Sequence, residues 1–382
     1  MIKQLLLAPG PTPVPARVRL AMAQPMFHHR TPQFSALFGE VRDGLRQLFQ
    51  TEEDVLVLAS SGTGAMEAAV ANCFDRGDEV VVVNGGKFGE RWLKLSTTFG
   101  LKPIEIRVEW GRAVRADQVA QALDEHPNAR GVLVQGSETS TTAVHPIEEM
   151  AAVTRDRDAL LVVDGITSVG VYDIPMDRWG VDVLITGSQK ALMLPPGLAV
   201  IALSRRAWQR VEKTSQPRYY FDLSRERTNQ AKNTTAYTPA ISLVIGLREA
   251  LAMMLEEGLE NVFARHARLA RATRAAAAAL GLRLVAPDNP SPALTGVYVP
   301  DGIDGGKLFA YLRDKMLVVF AGGQDHLKGK IIRIAHLGYI DAFDTITAVA
   351  AFEMALRKFG HPVELGRGVG AAETELLAAL PA

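Results

Sequence analysis

Two residues of complementary chemistry stand at the ends of apolar runs. Lys190 closes Val181-Asp-Val-Leu-Ile-Thr-Gly-Ser-Gln-Lys190, which reads as a buried strand opening into a polar loop. Upstream, Asp158-Ala-Leu-Leu-Val-Val-Asp164 sets an acid at the carboxyl end of a second apolar run. An amine held at a strand end is a candidate nucleophile that condenses with a carbonyl, and a carboxylate on the neighbouring strand can keep a bound ring nitrogen protonated. Each residue also has an ordinary reading, the lysine as a solvated loop residue and the aspartate as a helix cap or turn residue.

A third stretch changes the balance. In Ala59-Ser-Ser61-Gly62-Thr63-Gly64-Ala-Met-Glu67, the apolar run Val55-Leu-Val-Leu passes through a small-residue turn into a helix. Backbone N–H groups at such a helix start, the helix dipole and the hydroxyls of Ser61 and Thr63 suit a phosphate; a plain glycine turn with a hydroxyl cap is the alternative. An amine, a carboxylate and an anion site together are what pyridoxal phosphate chemistry requires.

These residues need a scaffold, and the pattern around them supplies one. Strand-like and helix-like segments alternate from about residue 40 to about 255, which predicts a parallel sheet covered by helices on both faces. The candidate strands are Asp54–Leu58, Glu79–Val83, Lys102–Val108, Gly131–Gln135, Leu160–Asp164, Val181–Thr186 and Leu198–Leu203. In open α/β sheets ligands lie beyond the carboxyl ends of the strands. Ser61, Asn84, Ser137 to Thr142, Asp164 and Lys190 all fall there.

Two long helices are expected over Ile241–Leu259 and Leu259–Leu280. Beyond Gly281, short strands (Gly296–Val299, Val318–Phe320, Ile331–Ile334) alternate with helices around Gly306–Lys315 and Asp341–Phe359. The expected organisation is a large α/β domain over 16–258 with a mostly parallel seven-stranded sheet, and a smaller α+β C-terminal domain over 259–365. Segment 1–15 is expected to bridge the two, and the tail 366–382 to form a loosely attached helix.

Composition narrows the partners. The chain has 382 residues, 48% hydrophobic, and Lys+Arg equals Asp+Glu at 42 each. With no global field and no basic run longer than Ser204-Arg-Arg, neither nucleic acid nor an acidic membrane is an expected partner; a small molecule is. Cys73 is the single cysteine, so intramolecular disulfides and cysteine-cluster metal sites are excluded, no metal is expected, and core packing is its expected role. The apolar run after Met1 is too short for a signal peptide and no later one is long enough to cross a bilayer, so a cytoplasmic protein is expected.

On these residues the chain resembles the class V aminotransferases, of the fold type I pyridoxal phosphate enzymes, and specifically the alanine–glyoxylate, serine–pyruvate and serine–glyoxylate group. The resemblance runs through Leu7-Ala-Pro-Gly10-Pro-Thr-Pro-Val-Pro, His29-Arg-Thr-Pro-Gln-Phe, Ser61-Gly-Thr-Gly-Ala-Met-Glu, Glu138-Thr-Ser-Thr, Val163-Asp-Gly-Ile-Thr-Ser, Gly187-Ser-Gln-Lys-Ala-Leu and Pro195-Pro-Gly. It implies pyridoxal 5′-phosphate as cofactor, linked covalently to Lys190. Asp164 would pair with the pyridine nitrogen, Ile166 would pack under the ring, Thr139 would bond the ring hydroxyl and Phe88 would stack on it. Ser61, Gly62, Thr63 and Gln189 would hold the phosphate. Thr235 and Thr238 would reach it from the partner subunit of a homodimer, and Arg333, with Gly10 nearby, would meet the substrate carboxylate.

Two departures accompany the match. Phe88 replaces a tryptophan or tyrosine, so stacking survives without a polar edge. Thr235 stands where relatives use a tyrosine, which shortens or removes that phosphate contact. Independently of the family, an arginine inside Ile331-Ile-Arg-Ile is costly unless paired, either by a carboxylate ligand or by a structural salt bridge. The implied reaction moves an amino group from alanine or serine to glyoxylate or pyruvate. Aspartate, phosphoserine or an amine are the alternative donors, and Gly10, His28, His29 and Arg30 carry no motif that decides among them. A lyase of the cysteine desulfurase kind and a cofactor-free scaffold are the competing readings.

Overall fold

The computed structural model describes residues 4–378. All seven expected strands join one sheet, in the order Val55–Leu58, Ala199–Leu203, Val183–Gly187, Leu160–Asp164, Gly131–Gln135, Glu79–Asn84, Lys102–Arg107. Six run in one direction; Ala199–Leu203 is antiparallel to both of its neighbours. Five of the seven are buried along their whole length, as strands covered on both faces must be, which explains their unbroken Val, Ile and Leu content.

Each face has its own apolar core. One gathers Phe34, Phe38 and Leu45 of the helix Pro32–Phe49 with Val244 and Leu247 of Ile241–Glu257. The other packs the helix Gly62–Cys73 against the strands, with Cys73 wholly buried beside Phe74. Burial pushes the Cys73 thiol up to about 12, so the group is an apolar packing element at neutral pH.

A third core lies under the C-terminal sheet, where Ile331–Ala335 is central between Leu294–Tyr298 and Ala321–Gly322, both antiparallel to it. Leu5–Leu6 pairs in parallel with Val318–Val319, and Leu7 accepts the N–H of Ala335. The N-terminal segment therefore runs along the C-terminal sheet before it turns toward Lys190.

The tail corrects an expectation. Arg367–Leu377 is a helix, but it is not loosely attached: Gly368, Ala372 and Leu376 are buried. A Cβ on Gly368 would stand 2.9 Å from Leu280 Cγ, so the small residues let the helix sit close against the end of Leu259–Ala279. The last four tail residues, 379–382, lie outside the described residues.

Candidate active site

Lys190 is three residues past the end of Val183–Gly187, in a loop with little freedom. Ser188 Oγ donates to Pro195 O (2.7 Å) and accepts from Leu198 N (3.1 Å), pinning the loop to its return strand. Thr12 Oγ1 donates to Lys190 O at 2.8 Å, and Lys190 Nζ donates to Pro9 O at 2.6 Å. Gly10, at φ +148°, has no room for a side chain, since a Cβ there would lie 2.3 Å from Nζ. Burial lowers the amine's pKa to about 8, against the opposing pull of Asp164.

Asp164 ends the adjacent parallel strand, level with Ile185 of the lysine strand. It is 4% exposed, and its Oδ1 accepts the N–H of Ile166 at 2.9 Å. Burial raises its pKa to about 6, with that hydrogen bond and the charges of Arg91 and Lys190 pulling the other way. A carboxylate so placed is short of a cation. Ile166 then touches the anion turn: a Cβ on Gly62 would stand 2.4 Å from Ile166 Cδ1, so glycine is required for the turn to approach it.

The turn itself is not a plain capped helix start. Ser61 has extended backbone and its hydroxyl makes no capping bond, and the side chain is exposed. Thr63 Oγ1 instead accepts from Arg91 Nη1 at 3.0 Å. Gln189 Oε1 is buried without a hydrogen-bond partner close by, 3.0 Å from where a Cβ on Gly187 would stand. The uncapped Ser61 hydroxyl, the Thr63 hydroxyl proton, the helix N–H groups and Arg91 form a donor set suited to an anion such as a phosphate.

Phe88 is held by a device the sequence reading missed. The helix Lys87–Thr98 begins after Gly86, which cannot cap it. Glu138 Oε2, from the strand pair beyond Gly131–Gln135, accepts the N–H groups of Phe88 and Gly89, both at 3.1 Å, while Oε1 accepts from Ser140 N and Oγ. Glu138 is thus a helix cap supplied from a distant segment, satisfying donors that every helix start leaves open. Lys87 pairs with Glu90 and with Asp325, each at 2.6 Å, joining this helix start to the loop after Ala321–Gly322. Trp110 and His326 make a second contact across the same gap, with ring centroids 4.3 Å apart.

Arg333 is 7% exposed, and among the described residues it pairs with no carboxylate, so the expected structural salt bridge is absent there and backbone carbonyls hold the side chain instead. Nε and Nη2 donate to Gly322 O (3.0 and 2.8 Å), and Nη1 donates to Thr139 O at 2.7 Å. Of its five N–H groups these use three, leaving one on each terminal nitrogen, the pair whose spacing matches a carboxylate. Burial lowers its pKa to about 10, so it stays a cation at neutral pH. Thr139 is buried, with Oγ1 2.8 Å from Thr167 Oγ1.

Thr235 and Thr238 lie apart from this group. Thr235 Oγ1 donates to Tyr237 O at 2.5 Å, and both threonines line a hollow with Leu58, Ala59, Tyr220 and Tyr237. Arg30, undecoded in the sequence, grips this strip: its Nη1 donates to Thr234 Oγ1 (2.6 Å) and Thr235 O (2.9 Å). His28 and His29 lie next to each other, ring centroids 4.5 Å apart.

Comparison with known proteins follows the same lines. The model of the Aminotransferase class-V family matches residues 6–329. A protein of Anabaena cylindrica named soluble hydrogenase 42 kDa subunit is 42% identical, over 97% of this chain and 98% of that one. The L-aspartate–glyoxylate aminotransferase of Paracoccus denitrificans is 37% identical, over 96% and 95%. Among solved structures, an alanine–glyoxylate aminotransferase from Nostoc superposes with a TM-score of 0.89 at 31% identity, over 94% of this chain and 96% of that one.

Proposed function

The chain belongs to the class V aminotransferases and is a transaminase, and from that premise we propose that it uses pyridoxal 5′-phosphate to move an amino group from a small L-amino acid, alanine or serine, to glyoxylate or pyruvate. The observation that carries the proposal is the pairing of a partly buried amine, Lys190, with a buried carboxylate, Asp164, at the ends of adjacent parallel strands. When bound, the cofactor supplies the aldehyde that takes up the amino group and a ring that accepts electrons from the substrate's α-carbon.

The chain's own residues do the rest. With a pKa near 8, Lys190 has a substantial neutral fraction at pH 7–8, so Nζ serves as nucleophile and as the base that accepts and returns the substrate's α-proton. Asp164 holds positive charge on the ring nitrogen, and Ile166 and Phe88 offer apolar contact to the ring. Ser61, Gly62, Thr63 and Gln189 receive the phosphate, and Thr139 the ring hydroxyl. The two unused N–H groups of Arg333 orient the α-carboxylate. Gly10 keeps the space beside Nζ open.

The reading includes a cytoplasmic homodimer in which Thr235 and Thr238 reach the neighbouring subunit's phosphate, and a division into a cofactor-binding part, 16–258, and a C-terminal part, 259–365. The exposed Tyr219 and Tyr220, clustered on Tyr237 with ring centroids 5.9 and 5.1 Å away, support an apolar contact between copies at this strip. Among the described residues no helix is long and apolar enough to cross a membrane. Glyoxylate is favoured as acceptor because it recurs in the names of the relatives; aspartate is the second donor reading, for the same reason. The lyase reading lacks a site cysteine, as Cys73 is packed in the core. Borohydride reduction and peptide mapping should label Lys190, and a label on another lysine would overturn the assignment. Half-reaction spectra with alanine, serine and aspartate then identify the donor.

A further inference from the structure

Arg91 has no part in the scheme above, yet its surroundings are unusual for a helix arginine. It sits one turn after Phe88 in Lys87–Thr98, half-buried, with its guanidinium 4.8 Å from the Phe88 ring centroid and Nη1 3.0 Å from Thr63 Oγ1. The acids nearest in the chain and at the helix start are engaged elsewhere, Glu90 by Lys87 and Glu138 by the N–H groups of Phe88, Gly89 and Ser140. Its charge reaches the reacting groups, lowering the pKa values of both Asp164 and Lys190. A guanidinium has donors only. The Thr63 oxygen is therefore the acceptor, and the hydroxyl's own proton is directed away from Arg91.

The charge balance of the anion turn requires such a group. A phosphate monoester carries about −1.5 to −2 near neutral pH, whereas a helix N-terminus offers the equivalent of roughly half a positive charge. The stretch Ala59 to Glu67 contains no lysine or arginine. Among the described residues Arg91 is the cation hydrogen-bonded to the turn, through Thr63.

We infer that Arg91 is a positioning residue for a phosphate monoester at the Ser61–Thr63 turn: it aims the Thr63 hydroxyl proton at the phosphate and balances the charge the helix start leaves uncompensated. This rests on the proposal that the cofactor's phosphate lies at that turn. Arg91 also covers one face of Phe88, so the ring is held from the side of the anion site and from the Glu138-capped backbone together.

The test compares pyridoxal 5′-phosphate with pyridoxal, the same aldehyde without the phosphate, each titrated against purified protein and followed by absorbance and tryptophan fluorescence. Arg91→Gln should weaken pyridoxal 5′-phosphate by at least about tenfold, the range of a hydrogen bond to a charged group, and leave pyridoxal within about twofold. Arg91→Lys should recover part of the loss, because it restores charge without the planar fork. Thr63→Val should reproduce much of the loss, and the double variant should lose less than the sum of the two, because one residue acts through the other. Equal weakening of both aldehydes, or of neither, overturns the inference, the first by showing a purely structural role. Should Arg91→Gln not fold, Arg91→Lys and Thr63→Val carry the same comparison. A wild-type protein that attaches neither aldehyde to Lys190 on borohydride reduction defeats the underlying cofactor proposal instead; labelled Lys190 with an unaltered Arg91→Gln isotherm defeats only this one.

Discussion

The lysine–aspartate pit and the strip from Asn233 to Pro239 are built on opposite principles. In the pit, polar groups are held by remote parts of the chain: Lys190 by Pro9, Arg333 by Thr139, and Phe88 by Glu138. Burial there moves the pKa values of Lys190 and Asp164 toward neutrality. The strip's own hydroxyls bond nearby carbonyls, Thr235 to Tyr237 and Tyr237 to Tyr219, while Arg30 and Arg42 tie its Thr234, Thr235 and Asn233 from afar, and Thr238 is exposed. Chemical power comes from desolvation and is costly to arrange, whereas a hydroxyl that bonds a nearby carbonyl can exchange that partner for another at small cost.

The contrast breaks first at Lys190. Lys190→Ala should lower kcat by at least about 10³-fold, within the range for loss of a positioned acid–base group, and should abolish borohydride labelling; a variant retaining a tenth of wild-type turnover would move the reacting centre elsewhere. Arg333→Ala comes next. It should raise the KM for the amino acid by roughly 2–5 kcal/mol, the cost of truncating one side of a buried charge pair, while the cofactor isotherm stays unchanged. An unaltered KM would reduce Arg333 to a tie between Thr139 and Gly322.

Asp164→Asn sharpens the comparison through stability. In the cofactor-stripped protein the folded carboxyl has a pKa near 6 against an ordinary 3.8, so the folded state binds the proton more tightly. The contribution of this group is then full below pH 3.8, falls as pH rises to 6, and is a constant cost above it. Asp164→Asn should therefore stabilise the stripped protein at pH 7, by up to about 3 kcal/mol, while turnover falls. Urea unfolding at pH 4, 5, 6 and 7 reads the slope, and a variant less stable than wild type at pH 7 would contradict a strained buried charge. The smallest effect belongs to the strip: Thr235→Ala with Thr238→Ala should change stability by only about 1 kcal/mol. Co-expressed with Lys190→Ala chains, this variant should regain activity in the tagged heterodimer; a heterodimer no better than its parents would confine the threonines to their own subunit.

Much of this was legible in the sequence, for physical reasons that also mark where legibility stops. Strands buried on both faces appear as apolar runs between turn residues, so five of the seven could be read that way, with Glu79–Asn84 nearly so, whereas the partly exposed Lys102–Arg107 showed as alternation of charged and apolar residues. Chemistry that interrupts such runs, as at Asp164 and Arg333, stood out. The reversed direction of Ala199–Leu203 could not be read, because periodicity carries no sign of direction. Glu138 was visible only as part of a family motif, since its capping role depends on a helix start fifty positions away. Arg91 looks like any solvated helix arginine until Thr63 is found beside it. The tail misled because alanine and glycine read as weak packing residues, although their smallness is what lets that helix dock.

The Lys87–Asp325 pair gives the molecule a dependence on ionic strength. It is partly exposed and spans the gap between the helix start that holds Phe88 and the loop following Gly322, whose carbonyl anchors Arg333. At physiological salt the screening length is about 8 Å and it shortens to about 3 Å at molar concentrations. Electrolyte thus acts on a tie between the helix start that carries Phe88 and the loop beyond Gly322, apart from Lys190 and Asp164. Raised salt should therefore loosen the two segments from one another before it alters the strand ends that carry Lys190 and Asp164.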